Sequence, residues 1–180
     1  MPYFKNRPLR GDLFEELINK TNQAYMDDSL AVVLKIPTAI KPVELDSDKG
    51  TITLAYFDQK STVDYIGNIQ GIPVCFEAKE TNRQSLPLSN FHSHQIEFME
   101  KFTAQNGIAF VLVQFSIIEK IFMLPYSSLK GYWDRAENGN GRKSIPLDAF
   151  EHEVGIQGRY LVHYLEQVGD LLGLLRSNND

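Results

Sequence analysis

The longest apolar run in this 180-residue chain is Ile108–Phe115, IAFVLVQF, broken only by Gln114. It is far shorter than the ~20 residues a membrane-spanning helix needs. It suits a strand buried on both faces, of the kind that lies inside a sheet with helices on each side. Before it, Phe91, Ile96, Met99 and Phe102 recur at roughly helical spacing up to Gly107, with Ser89 or Asn90 placed to cap the N-terminus. After it, residues 119–124 read as another strand, stopped by Pro125.

The rest of the chain supplies the same alternation of elements. Residues 11–26 carry Leu13, Phe14, Leu17 and Ile18 as a helical stripe. Residues 30–36 (LAVVLKI), closed by Pro37, and 51–57 (TITLAYF) read as strands, and the polar stretch 41–50 between them as a hairpin tip or protrusion. Residues 62–68 and 72–79 flank Gln70-Gly71, the turn chemistry of an antiparallel hairpin. Residues 129–134 contain the only Trp, and 138–144 form a glycine-rich basic loop. Pro146 suits the first turn of a short helix through 153, and 160–175 place Leu161, Tyr164, Leu165, Val168, Leu171, Leu172 and Leu175 on one side of a last helix. The sum is a single α/β domain spanning 1–180, with a mixed central sheet of five or six strands flanked by helices and a protrusion over about 38–55.

The chemistry concentrates on the 62–79 hairpin. Side chains alternate along a strand, so Thr62 and Asp64 project together from one strand, and Cys75, Glu77 and Lys79 from its partner. Hard divalent cations take one or two carboxylates and leave other positions for water and phosphate. Asp64 with Glu77 meets that need, while Lys79 would stand where a phosphodiester in hydrolysis gathers negative charge. Thr62 through its hydroxyl and Gln95 through its amide oxygen would complete the shell or orient water. The competing reading is a cross-strand salt bridge on a solvated face.

Other residues carry paired readings too. Glu15 is either an additional acid of the same site or a helix partner four residues from its neighbours. His92 and His94 splay at i, i+2 without Cys or HExxH company, which favours a DNA contact or a cap over zinc. Cys75, the single cysteine, packs between Val74 and Phe76 and forms no internal disulfide. Arg135, Arg142 and Lys143 form one basic cluster and Arg7 with Arg10 another, either solvated or bound to phosphate. The net charge of −5 and pI of about 5.4 lack the basic excess of a non-specific DNA binder, although carboxylates that hold a cation are neutralised by it. Residues 1–7 show no secretory signal pattern, and the cytoplasm is the expected compartment.

Several motifs in one order resemble the RecU family of bacterial Holliday junction resolvases. They are Arg10-Gly11; Asn19-x-Thr21-Asn22; Lys35-x-Pro37-Thr38; Ala55-Tyr56-Phe57-x-Gln59-x-Ser61-Thr62-x-Asp64-Tyr65-x-Gly67; Phe76-Glu77-Ala78-Lys79-Glu80-Thr81; Pro87-Leu88-x-Asn90-Phe91-His92-x-His94-Gln95-Ile96-Glu97; Tyr132-Trp133-Asp134-Arg135; and Gly141-Arg142-Lys143-Ser144-Ile145. The resemblance implies a restriction-endonuclease-like fold, a homodimer, and Mg²⁺-dependent symmetric nicking of four-way junctions in recombination and repair, with Mn²⁺ as a substitute cation. It also implies action beside a RecA-type recombinase and branch-migration machinery. By position, Thr62, Asp64, Glu77 and Gln95 would bind metal and Lys79 would stabilise the transition state, with DNA contacts at Arg10, Lys35, Tyr56, Phe57, His92, His94, Arg135, Arg142 and Lys143. The segment between Pro37 and Tyr56 resembles the family's stalk but is shorter and carries Glu44, Asp46 and Asp48 beside only Lys41 and Lys49. A less selective nuclease of the same fold, or a junction-binding protein without cleavage, are the alternatives.

Overall fold

The computed structural model describes residues 12–58 and 62–177. The cluster at Arg7 and Arg10, with Gly11, Gln59 and Ser61 of the motifs, lies outside these residues. In chain order the described elements are α1 (Asp12–Asp27), β1 (Val32–Lys35), β2 (Ile40–Asp46), β3 (Thr51–Phe57), β4 (Tyr65–Ile69), β5 (Ile72–Thr81), β6 (Ser85–Pro87), α2 (Ser93–Thr103), β7 (Ile108–Phe115), β8 (Lys120–Pro125), α3 (Tyr126–Glu137), β9 (Ser144–Pro146), β10 (His152–Val154) and α4 (Leu165–Ser177).

The main sheet runs β1-β4-β5-β7-β8-β10 and is mixed: β5 and β7 are parallel, and every other pairing is antiparallel. A parallel pair requires a crossover, and α2 supplies it. The two central strands are covered on both faces, which explains the unbroken apolar run of β7. Phe76, Phe110 and Leu112 face a core shared with Phe14, Ile18 and Tyr25 of α1 and Val168 of α4. Cys75, Val111 and Val113 face the opposite core, shared with Ile96 and Met99 of α2 and Leu129 of α3. The β4–β5 hairpin turns at Gln70 and Gly71, both at positive φ (49° and 93°), the geometry that turn requires.

The structure departs from the sequence reading at several places. Residues 147–153 are not a helix: a 3-10 turn at Leu147–Ala149 is followed by β10, the sixth strand of the sheet. Phe150 drives this, because its ring packs edge-on against Phe115, with centroids 4.9 Å apart, and commits the chain to the sheet. The Trp-containing segment belongs to a twelve-residue helix, α3. α4 begins at Leu165 rather than 160, since the residues before it are pinned to α1: Val162 N–H donates to Thr21 Oγ1 (2.9 Å), and Tyr164 OH to Asn22 Oδ1 (2.6 Å). α2 is capped by His92, not by Ser89 or Asn90. Leu13 of the α1 stripe points to solvent.

Strands β2 and β3 form a two-stranded sheet of their own, outside the main one. Its register slips between Pro42 and Leu45, where a proline is tolerated in a ladder. Both faces are exposed, and Leu45, Tyr56 and Phe57 are among its uncovered apolar side chains. An isolated ribbon of this kind is marginally stable in water.

Candidate active site

Glu77 sits in the middle of β5, on the face it shares with Cys75, and is completely buried. Its Oε2 accepts from Lys79 Nζ at 2.5 Å, while its Oε1 is buried without a hydrogen-bond partner. Burial pushes the Glu77 carboxyl up to about 8; the Lys79 cation pulls it back, and the nearby Asp64 charge adds to the rise. A carboxylate oxygen left bare in this way is costly unless something else meets it.

Asp64 lies one residue before β4, not within a strand, so its approach to β5 comes from a bend. Its Oδ2 accepts from the Ala78 N–H at 2.9 Å and stands 3.9 Å from Lys79 Nζ. Lys79 is thus shared by two carboxylates, and its ammonium also lies 5.8 Å from the centroid of the Phe91 ring. This three-residue group is mostly shielded from water, unlike the solvated surface pair that was the alternative. Cys75, on the same strand face, is fully buried and its thiol is pushed up to about 12 by burial, in keeping with packing.

The remaining site candidates fall into groups. Thr62 is half-buried, two residues ahead of Asp64. Gln95 is buried, and its side-chain oxygen accepts from the His92 N–H at 2.9 Å in a capping box, with the His92 side chain accepting from the Gln95 N–H. The bond that its amide makes is therefore to the start of α2, and one lone pair of that oxygen remains. His92 and His94 stack on each other, with centroids 5.3 Å apart. Glu15 of α1 forms an ion pair with Lys35 of β1 and lines an open cleft of about 440 Å³ together with Lys79. Tyr56 and Phe57 are exposed at the base of the ribbon, opposite Lys41 and Ile40. Arg135 lies over the Tyr132 ring at 4.8 Å.

The cleft contains residues to which the sequence alone assigned no site role: Glu80, Asn82 and Arg83, with Ser89 and Asn90, expected there only as caps. Their placement depends on a small sheet of β6 with β9, reinforced by Leu88 N–H donating to Lys143 O and Leu147 N–H to Gln84 O, each at 3.0 Å. That pairing brings the 141–146 loop against the 82–92 segment. Gly141 permits it, because a Cβ there would lie 2.7 Å from Arg135 Cβ and 2.8 Å from the Arg135 carbonyl carbon. The available signal was positional: a polar loop leaving the strand that bears the acid and the lysine.

Comparison with known proteins adds an independent line. The family model described as Recombination protein U matches residues 9–170. A Holliday junction resolvase RecU of Lactiplantibacillus plantarum is 42% identical over 170 residues, covering 91% of this chain and 82% of the relative. The protein of the same name from Pediococcus pentosaceus is 43% identical over 171 residues (91% and 84% covered), and that of Geobacillus kaustophilus 39% over 169 (90% and 84%).

Proposed function

The chain belongs to the Recombination protein U family of Holliday junction resolvases, and from that premise we propose that it cuts four-way DNA junctions by metal-dependent phosphodiester hydrolysis at Asp64, Glu77 and Lys79. The observation that carries this reading is the bare, buried Oε1 of Glu77 beside Asp64 and Lys79. An unpartnered carboxylate oxygen fits a hard divalent cation, Mg²⁺ first and Mn²⁺ as substitute. Asp64 and Glu77 would hold the cation, with Thr62 and Gln95 completing the shell. Bound there, it would polarise the phosphodiester and make water nucleophilic near neutral pH.

The chain's own groups do the remaining work. Lys79 is held by Glu77 Oε2 and the Phe91 ring, so its charge is fixed in place where a cleaved phosphate becomes more negative. Burial withholds competing water from Glu77. Glu15, ion-paired with Lys35, lines the cleft and would serve as an additional acid. Backbone phosphates would be met by Lys35, His92, His94, Arg135, Arg142 and Lys143 and, outside the described residues, Arg10. The exposed β2–β3 ribbon, with Tyr56 and Phe57 at its base, suits a stalk entering the junction centre. Two-fold pairing of two chains would present two sites to two symmetry-related strands. The setting is recombination and repair in the cytoplasm, beside a RecA-type recombinase and branch-migration enzymes; no helix among the described residues is long and apolar enough to cross a membrane.

The test is cleavage of a mobile four-way junction beside its component duplex, in Mg²⁺ or EDTA, with Asp64→Asn as control. Metal-dependent symmetric nicks confined to the junction are expected, and no cutting of either substrate would overturn the proposal. The acids of the ribbon (Glu44, Asp46, Asp48) favour a second reading, a less selective nuclease, which equal cutting of junction and duplex would select.

A further inference from the structure

Beside the cleft lies a second hollow of about 380 Å³, walled by Leu88, Phe91, Trp133 and Ala136, with Ser89, Glu137 and Lys143 also lining it. Two residues join it to the proposed active site. Ser89 lines both cavities, and Phe91 forms a wall of the hollow while its ring carries the Lys79 ammonium. The hollow is thus one side chain away from the group proposed to neutralise the cleaved phosphate.

Charge selects what would enter it. Most described lysines elsewhere are engaged by a carboxylate: Lys20, Lys35, Lys49, Lys101, Lys120 and Lys130. Arg83 in the cleft and Lys143 at the hollow have no ion-pair partner among the described residues, although the whole chain is acidic. An apolar slot with Trp133 and an unpaired Lys143 in its lining, sharing Ser89 with the proposed cleavage cleft, matches a nucleotide: a flat base for Trp133 over the apolar wall of Leu88, Phe91 and Ala136, and its phosphate for Lys143, with Glu137 available to accept from the base edge.

Building on the nuclease reading above, we propose that the Trp133–Phe91 hollow receives an unpaired nucleobase next to the cleaved phosphate and thereby sets which positions are cut. Bases at the centre of a four-way junction are the ones most readily released from stacking, so the slot also favours junction over duplex. Trp133 is positioned to stack on the base, and Lys143 to anchor the nucleotide.

Trp133 is the only tryptophan, so its emission reports directly on the hollow. The protein is titrated in EDTA with an intact four-way junction and with junctions bearing a single abasic nucleotide at successive positions around the cut. The expected result is quenching by the intact junction and recovery of emission at one abasic position, with binding by gel shift retained. In Mg²⁺, Trp133→Leu and Lys143→Ala should spread the cuts over neighbouring phosphates, lowering the preference for the main site about fivefold or more, while Trp133→Phe keeps it. Equal quenching by every abasic junction, or an unchanged cut pattern in Lys143→Ala together with silent wild-type emission, overturns the proposal. Lys143→Ala and the wild-type titration serve even if Trp133→Leu fails to fold. Quenching by a junction that is never cut would sink the nuclease reading and leave the base site standing; cutting with silent emission would do the reverse.

Discussion

Replacing Glu77 by Gln should abolish cleavage yet make the folded protein more stable. The Glu77 carboxyl has an ordinary value of 4.5 and is raised to about 8 in the fold, chiefly by burial. The folded state therefore binds this proton more tightly than the unfolded chain. Its contribution to stability is intact below about pH 4.5 and is lost progressively as the pH rises to about 8. At about 1.36 kcal/mol per unit, keeping Glu77 protonated in the fold while the unfolded chain ionises it lowers stability by ~3 kcal/mol at pH 7. Gln cannot ionise, but it weakens the hydrogen bond with Lys79 and buries an unpartnered amide group, which offsets about 1 kcal/mol or more. The net expectation is a gain of about 1–2 kcal/mol at pH 7, or roughly 3–7 °C in melting temperature for a domain of this size. Urea unfolding in EDTA at pH 7 and pH 5 measures it, and the gap should vanish or reverse in sign at pH 5. Millimolar Mg²⁺ should then stabilise the wild type and not the variant. A variant less stable than wild type at pH 7, or a gap that ignores pH, would refute the reasoning.

Three further outcomes follow from the same geometry. Asp64→Asn keeps an oxygen for the Ala78 N–H, so junction binding by gel shift should persist while cleavage falls by about 10²-fold or more; parallel loss of both would contradict that division of labour. Gln95→Ala removes the side-chain half of the α2 capping box and should cost about 1 kcal/mol in urea unfolding, whereas Gln95→Glu, which retains an oxygen for the His92 N–H, should lose much less. Gly141→Ala places a Cβ against the Arg135 backbone and should dislodge the 141–146 loop, weakening junction binding while Mg²⁺ still raises the melting temperature as in wild type.

What the sequence determined by itself was local and periodic. The apolar octet of β7, the Gln70-Gly71 turn of the β4–β5 hairpin and the α1 stripe were legible because burial on two faces, positive φ and a 3.6-residue period each leave a mark on nearby residues. Glu77 and Lys79 were also readable as partners, since alternation along one strand places them on one face. Tertiary structure decided the rest. Phe150 turned an expected helix into the sixth strand because a ring contact across the core outweighs a short helix with little propensity to spare. His92 displaced Ser89 and Asn90 as the α2 cap, because a 3-10 turn had already taken those two residues. The cleft and the Trp133 hollow exist only because β6 pairs with β9 across 56 intervening residues, joining two loops that are each unremarkable in sequence. Such pairings are set by which surfaces remain to be covered once the sheet has closed, and no local pattern carries that information.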